Sequence, residues 1–198
     1  MRLTGPSLTL RYAEPADADA LFALASDPDV TQWFSWGPYT SVDEPLAYIE
    51  RLAGERERGE RFDFVIDDGV AIGVTGLSEL SRRDRRAMVG TWLGRERWGT
   101  GANAESKGLI LHLAFAVCGL ERVGAYSNPQ NSRSTRALER LGFRHEGVLR
   151  AWHRHGDVHH DVNVFGLLRD EWPGAPFEVA VEGEPPAAWL VRSGAAPS

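Results

Sequence analysis

A glycine-rich turn between a strand pattern and a helix pattern is the segment of this chain best suited to chemistry. It runs Gly90-Thr91-Trp92-Leu93-Gly94-Arg95-Glu96-Arg97-Trp98-Gly99-Thr100-Gly101-Ala102-Asn103. Gly99 and Gly101 would let the backbone turn tightly and approach a ligand without a Cβ in the way. The amides from Gly99 to Ala104 would then face outward at a helix N-terminus, which favours a phosphate or pyrophosphate. A helix start that needs glycine only for turning is the alternative.

The sequence around this turn excludes two common phosphate sites. No Gly-Lys-Ser/Thr follows the glycines, so the turn is not a P-loop of a nucleotide triphosphatase. No Asp or Glu ends the next predicted strand, which argues against a dinucleotide site.

Length and composition indicate a single globular domain. The chain has 198 residues, of which 42% are hydrophobic and 25% charged. Its formal net charge of -6 argues weakly against a nucleic-acid partner. The single cysteine, Cys118, excludes an internal disulfide, and the sequence has neither a membrane-span pattern nor a signal-peptide core. We therefore expect a cytoplasmic protein with no membrane partner.

Alternating strand and helix patterns predict an α/β fold with a mixed central sheet of about seven strands and about four flanking helices. The expected strands cover residues 7–12, 61–66, 71–77, 87–93, 122–127, 147–153 and 159–167. The expected helices cover residues 18–26, 41–58, 103–118 and 131–142. We place one domain at residues 1–173 and a proline-rich, partly flexible C-terminal extension at residues 174–198.

A second chemically suggestive segment follows the strand that ends at Ser127. It runs Ser127-Asn128-Pro129-Gln130-Asn131-Ser132-Arg133-Ser134 and continues as a helix to Leu141-Gly142-Phe143. With the glycine turn, it resembles the GNAT superfamily of acyl-CoA-dependent N-acetyltransferases, and most of all the ribosomal-protein alanine acetyltransferase (RimJ/RimL-type) branch. The resemblance covers about residues 7–173. One departure is Glu96, which stands where the superfamily's pyrophosphate motif usually has Gln or Arg.

The resemblance implies a single GNAT-like domain that uses acetyl-CoA as a co-substrate and acetylates a primary amine. The acceptor would be a protein N-terminal alanine, a polyamine or another small amine. The implied contacts to CoA are Leu93, Arg97, Trp98, Gly99, Thr100, Gly101, Ala102, Asn103, Asn131 and Ser134. Ser134 would protonate the leaving thiolate, or would only satisfy first-turn amides of its helix. Asn131 would contact the pantetheine arm or cap the same helix.

The acceptor side is less sharply defined by the sequence. We expect Glu79 to be the general base, because the fold that the resemblance implies places its strand beside the acceptor cleft; an exposed loop carboxylate is the alternative. Asp161 would orient the amine or pair with an arginine at a strand edge. Trp33, Trp36 and Tyr39 belong to an aromatic loop that would border the acceptor pocket and contact the amine by stacking or cation–π interaction.

Other reactive residue types receive less specific interpretations. Cys118 is expected in the core, because it lies on the apolar face of its predicted helix; direct attack by an amine needs no cysteine nucleophile. The histidines at 153, 155, 159 and 160 match no metal-ligand spacing, so we expect no metal and interpret them as histidines of the substrate strand or of the surface. A non-catalytic acyl-CoA-binding regulatory module is the alternative function, and a homodimer contact through the tail after Trp172 is compatible with the sequence.

Overall fold

A computed structural model describes residues 1–190, in which nine strands form one sheet and five α-helices pack against it. The strands are β1 (Arg2–Thr4), β2 (Thr9–Arg11), β3 (Arg61–Asp67), β4 (Ala71–Ser81), β5 (Arg86–Leu93), β6 (Arg122–Ser127), β7 (Arg144–His155), β8 (Val158–Leu168) and β9 (Ala180–Glu182). The helices are α1 (Ala18–Ala25), α2 (Pro28–Thr31), α3 (Asp43–Arg58), α4 (Ala102–His112) and α5 (Ser132–Arg140). A π-helical turn, Leu113–Val117, continues α4.

The sheet has the order β7-β8-β6-β5-β4-β3-β2-β1-β9. Every neighbouring pair is antiparallel except β5 and β6, which run parallel. The predicted mixed α/β sheet is confirmed. Within residues 1–190 the structure adds two strands at one end, β1 and β9, and one short helix, α2, to the expected elements.

Helices cover both faces of the sheet, and this burial explains the apolar strands. On one face α4 packs in a large cluster that includes Phe62, Phe64 and Leu109. On the other face a smaller cluster under α1 and α3 includes Leu21 and Ile49. Strand β3 therefore reads as a nearly continuous apolar run, as strands buried on both faces do. One carboxylate, Asp63, interrupts that run.

The described part of the C-terminal segment packs against the rest of the fold. Strand β9 pairs with β1, and the Phe177 ring lies where a side chain on Gly108 of α4 would otherwise stand. Trp189 is completely buried; its ring lies 5.1 Å from Phe62, and its indole N–H donates to the Arg56 carbonyl at 3.0 Å. The domain boundary at residue 173 stays a prediction, and residues 191–198 of the expected flexible tail lie outside the described residues.

Cys118 lies in the core, as its apolar neighbours predict, with 1% of its surface exposed. Burial raises the pKa of its thiol to about 12, so the thiolate is scarcely populated at neutral pH. None of the helices that the structure describes has the length and apolarity of a membrane span.

Candidate active site

A gap opens in the middle of the sheet, between β5 and β6. The two strands pair only from Arg86 to Met88, opposite Arg122 to Gly124. Beyond these three pairs, β5 continues to Leu93 along β4, and β6 continues to Ser127 along β8. The strands therefore diverge towards their carboxyl ends, where the glycine turn and the Asn131 segment begin. An open α/β sheet commonly binds its ligand at such a point.

The glycine turn, residues 94–101, leads from β5 into α4 and leaves several amides available. Gly99 and Gly101 have φ values of 77° and 96°, and an added Cβ at either would meet nothing within 4 Å. The amides of Gly99, Gly101 and Asn103 have no hydrogen-bond partner among the described residues. The N–H of Ala102 lies 3.4 Å from the Thr100 hydroxyl. The turn thus presents an array of donors at the positive end of a helix.

Two predicted contact side chains in this turn are occupied by protein partners. The Arg97 guanidinium lies 2.6 Å from the Asp68 carboxylate in the β3–β4 turn. The Trp98 indole N–H donates to the Leu93 carbonyl at 2.9 Å, and the Arg133 guanidinium lies 3.4 Å from the centre of its ring. Arg97 and Trp98 therefore brace the turn. Glu96 is exposed, so the unusual carboxylate can point into solvent.

Helix α5 begins beside the end of β6 and carries the second predicted pair. The Asn131 side chain accepts from the amide of Ser134 at 3.1 Å, so the expected helix cap is present. Ser134 is half-buried, and Arg133, next to it, contacts Trp98 of the glycine turn. This contact joins the segments that follow the two diverging strands.

Glu79 and a group from β6 and β7 lie together on the sheet face opposite α4. Glu79 is exposed, in a bulge of β4 with φ of 51°, and accepts a long hydrogen bond from the Tyr126 hydroxyl at 3.4 Å. The His153 ring lies 5.7 Å from Tyr126. Burial lowers the pKa of His153, although Glu79 opposes that effect. Burial, followed by the charge of Glu79, raises the pKa of Tyr126.

The aromatic loop, residues 32–42, packs beside β5 on that same face. The Trp36 ring lies 5.3 Å from Phe34, 5.3 Å from Tyr39 and 5.6 Å from Trp92 of β5. Trp36 and Tyr39 thus form one half-buried wall with Trp92. Trp33 is half-buried and takes no part in these ring pairs.

Asp161 lies on β8 and is exposed. Its carboxylate accepts from the backbone N–H of Ala151 at 2.8 Å, and Ala151 has a positive φ of 50° in an irregular part of β7. Asp161 therefore pairs with a backbone amide and not with an arginine, which was the alternative predicted from the sequence. Within residues 1–190, no three His, Cys, Asp or Glu side chains converge as metal ligands would.

Comparison with known proteins identifies the family. The family model described as "Acetyltransferase (GNAT) domain" matches residues 7–144. The "Uncharacterized N-acetyltransferase p20" of Bacillus licheniformis is 32% identical over 84% of this chain and 96% of its own length. The "Putative ribosomal N-acetyltransferase YdaF" of Bacillus subtilis (strain 168) is 27% identical over 84% of this chain and 94% of its own. The chain belongs to the GNAT acetyltransferase family.

A solved GNAT structure agrees in fold. Mycobacterium smegmatis RimJ in complex with CoA-disulfide superposes with a TM-score of 0.80 at 23% identity, covering 88% of this chain and 89% of that one. Together with YdaF, this neighbour agrees with the RimJ/RimL-type branch. This chain is therefore an acyl-CoA-dependent acetyltransferase. Its family supports an enzyme rather than the non-catalytic binding module.

The sequence predictions omitted some side chains that the structure brings to the face opposite α4. Tyr126 and Asp63 were not among the predicted site residues, and His153 was interpreted as a histidine of the substrate strand or of the surface rather than as a metal ligand. For Asp63 a signal exists, namely one carboxylate inside the apolar run of residues 62–66. Tyr126 has no comparable signal, since an aromatic residue is ordinary in a strand.

Proposed function

We propose that this protein transfers an acetyl group from acetyl-CoA to a primary amine by direct attack within a ternary complex. The observation that carries the proposal is the gap between β5 and β6, which ends at the free amides of the glycine turn. A thioester lying in the gap could be approached by an amine from the face that carries the aromatic loop. Holding the two reactants together would supply most of the rate.

The donor fits the residues at the mouth of the gap. Backbone amides from Gly99 to Asn103 would bind the pyrophosphate of acetyl-CoA, because they lie at a helix N-terminus and those of Gly99, Gly101 and Asn103 have no partner among residues 1–190. Leu93 and Asn131, at the start of α5, would contact the pantetheine arm of acetyl-CoA, which continues from the pyrophosphate. Arg97 and Trp98 would act by holding the turn in place, since their side chains already have protein partners.

The chemistry assigns a role to three groups of this chain. As the amine nitrogen bonds to the acetyl carbon, a backbone N–H near the end of β5 would stabilise the carbonyl oxygen. The carbon–sulfur bond then breaks, and Ser134 would protonate the sulfur and regain a proton from solvent, to which Glu79 would release the proton that it takes from the amine. Glu79 would receive the proton that the amine loses, directly or through water. Tyr126 donates to Glu79 and so fixes the position of that carboxylate.

The acceptor pocket would lie between the aromatic loop and β5. Trp36 and Tyr39 would form its wall with Trp33 nearby. Asp161 shares the α4-side face of β8 with Phe165, so it would act outside this wall. An aromatic wall suits a cationic amine. Both a protein N-terminal alanine and a small amine match this description, and the name of YdaF, a putative ribosomal N-acetyltransferase, favours a ribosomal acceptor. Cytoplasmic location and a homodimer remain predictions from the sequence.

An acceptor screen tests this proposal. We would measure the release of free CoA thiol from acetyl-CoA in the presence of alanine-initiated peptides, polyamines and aminoglycosides. We expect turnover with at least one amine, and a decrease in kcat of about 100-fold for Glu79→Gln and about tenfold for Ser134→Ala. Glu178→Gln and Ser132→Ala change exposed residues of the same types and serve as controls. Binding of CoA without turnover of any amine would contradict the proposed function.

A further inference from the structure

One buried carboxylate on the acceptor face has no place in the mechanism above. Asp63 lies in β3 between two core phenylalanines, and only 7% of its surface is exposed. Phe62 and Phe64 point towards α4, so Asp63 points to the opposite face, where α3 and the aromatic loop lie. Burial raises the pKa of Asp63, which indicates that its charge is incompletely compensated by the fold.

The two oxygens of this carboxylate differ in their surroundings. Oδ2 accepts from the Tyr48 hydroxyl at 2.6 Å and from Arg61 at 3.0 Å. Oδ1 accepts from no described residue, and it lies 1.9 Å from where a Cβ on Gly76 would stand. Asp63 therefore extends over Gly76 of β4, a position that only glycine can occupy without displacing it.

Residues paired with Asp63 on neighbouring strands lead across the sheet towards the gap between β5 and β6. Gly76 pairs with Asp63 on one side and with Gly90 of β5 on the other. A Cβ on Gly90 would meet nothing within 4 Å, so the space above this residue is open. Facing positions on neighbouring strands are about 5 Å apart. Oδ1 thus lies at the end of a slot that leads from Asp63, over two glycines, to the point where β5 leaves β6.

Glu79 lies at the reacting end of the slot, and the other charges around the slot leave Oδ1 as the negative group at its far end. Arg61 lies 3.0 Å from Asp63 but also 3.7 Å from Glu55 of α3. Glu55 in turn lies 3.1 Å from Arg51, whose side chain is mostly exposed. The signs therefore alternate along the chain of contacts, and the last member, Asp63, presents an unpaired oxygen to the slot. Trp92, two residues beyond Gly90 on the same face, joins the aromatic wall beside it.

We propose that Asp63 binds a second, positively charged nitrogen of the acceptor, so that the preferred substrates are diamines or polyamines. A nitrogen at Oδ1 and a reacting nitrogen at the gap would be separated by about one strand spacing, about 5 Å. The two nitrogens of 1,3-diaminopropane span such a distance. This inference rests on the proposed acetyl transfer and narrows its acceptor. Asp63 is a specificity group, since the atoms that it holds are not those that react.

The test compares two probes that differ only in the second nitrogen, 1,3-diaminopropane and propylamine. For the wild-type protein we expect kcat/KM to be at least tenfold higher with the diamine, as a charge-assisted hydrogen bond would give. Asp63→Asn should remove this preference while the KM for acetyl-CoA stays within about twofold of wild type. Gly90→Ala, which fills the slot without a clash, should reduce diamine turnover in the same way.

Asp17→Asn is the matched control. Asp17 is also 7% exposed and is bonded to an arginine, Arg11, but it precedes α1 and lies outside the slot. Loss of a buried ion pair should lower the melting temperature of both Asp63→Asn and Asp17→Asn, whereas only the former should change the ratio of the two probes. A purely structural Asp63 would lower turnover of both probes equally.

The outcomes separate this inference from the proposed function. Turnover of alanine-initiated peptides but of neither probe would overturn the diamine assignment and leave acetyl transfer intact. A diamine preference that survives Asp63→Asn would also overturn it. Without turnover of any amine, the proposed function fails. The role of Asp63 is then tested separately, by calorimetric binding of 1,3-diaminopropane to the CoA-loaded protein. Binding that Asp63→Asn abolishes supports Asp63, and no binding to the wild type overturns its role.

Discussion

Lys107 is the only lysine of the chain, and the fold buries it on α4. Only 6% of its surface is exposed, and it makes no ion pair with a described residue. Burial lowers the pKa of Lys107 from 10.5 to about 7. Most buried lysines reach water or a carboxylate with the tip of their side chain. Here the fold accommodates an amine that is partly neutral at physiological pH.

Replacing this lysine should therefore stabilise the protein in a pH-dependent way. The pKa is lower in the folded state, so the unfolded chain binds more protons between pH 7 and 10.5, and stability rises with pH across that window. Lys107→Met removes the penalty, which is fully present below pH 7. We expect its unfolding free energy to exceed wild type by about 1 to 3 kcal/mol at pH 6.5, and the difference to shrink towards pH 10.

Chemical denaturation at several pH values measures this difference. Arg136→Met, which removes an exposed cation from α5, should change stability by less than about 0.5 kcal/mol at every pH. A constant difference between Lys107→Met and wild type from pH 6.5 to 10 would show that the amine titrates normally.

At the scale of elements, the sequence predicted what local patterns encode. The strands that became β3 to β6 were placed within about two residues at most ends, because they are buried and bounded by turn residues. The helix expected at residues 103–118 is a regular α-helix only to His112 and then a π-helical turn, since apolar spacing does not distinguish these hydrogen-bond patterns. Strands β1 and β9 have three residues each, too few for an alternation to be recognised.

Gly101 tests whether the glycine turn binds the cofactor. Gly101→Ala places a Cβ on a residue with φ of 96°, which strains the turn or shifts its amides, although the space around it is open. We expect the Kd for CoA, measured by calorimetry, to rise at least tenfold.

Gly174→Ala is the control for this substitution. Gly174 has a φ of 99°, and its added Cβ also meets nothing within 4 Å, but it lies in the C-terminal segment. Both variants should lose a similar amount of stability, of order 1 kcal/mol. An equal effect of both on the Kd would mean that the turn does not hold the cofactor.

In the molecule as a whole, sheet topology brings together the residues of the proposed acceptor side. Asp63, Glu79, Gly90, Tyr126 and His153 come from five different strands and share one face only because of the strand order. No local pattern brings them together. The proposed donor side has clearer sequence signals, because the glycine turn and the Asn131 segment each carry their geometry in a few consecutive residues.

Trp189 tests how much the C-terminal segment contributes to the stability of the fold. Trp189→Ala removes a completely buried ring from beside Phe62 and leaves the Arg56 carbonyl without its donor. We expect a loss of about 3 to 5 kcal/mol in unfolding free energy, measured by denaturant titration. Trp152→Ala, which removes a ring that is 52% exposed, should cost under about 1 kcal/mol. If Trp189→Ala lost as little stability as Trp152→Ala, residues 174–190 would contribute little to the fold.

The three-pair contact between β5 and β6 has a further consequence. Among residues 1–190, β5 has no partner strand on the side of β6 beyond Met88, and β6 has none on the side of β5 beyond Gly124. The sheet thus contains two internal edges, each with backbone donors and acceptors that no strand satisfies. Exposed edges usually attract another extended chain. Here the two edges face each other across the gap, so an extended polar chain lying in it would find backbone donors and acceptors on both sides.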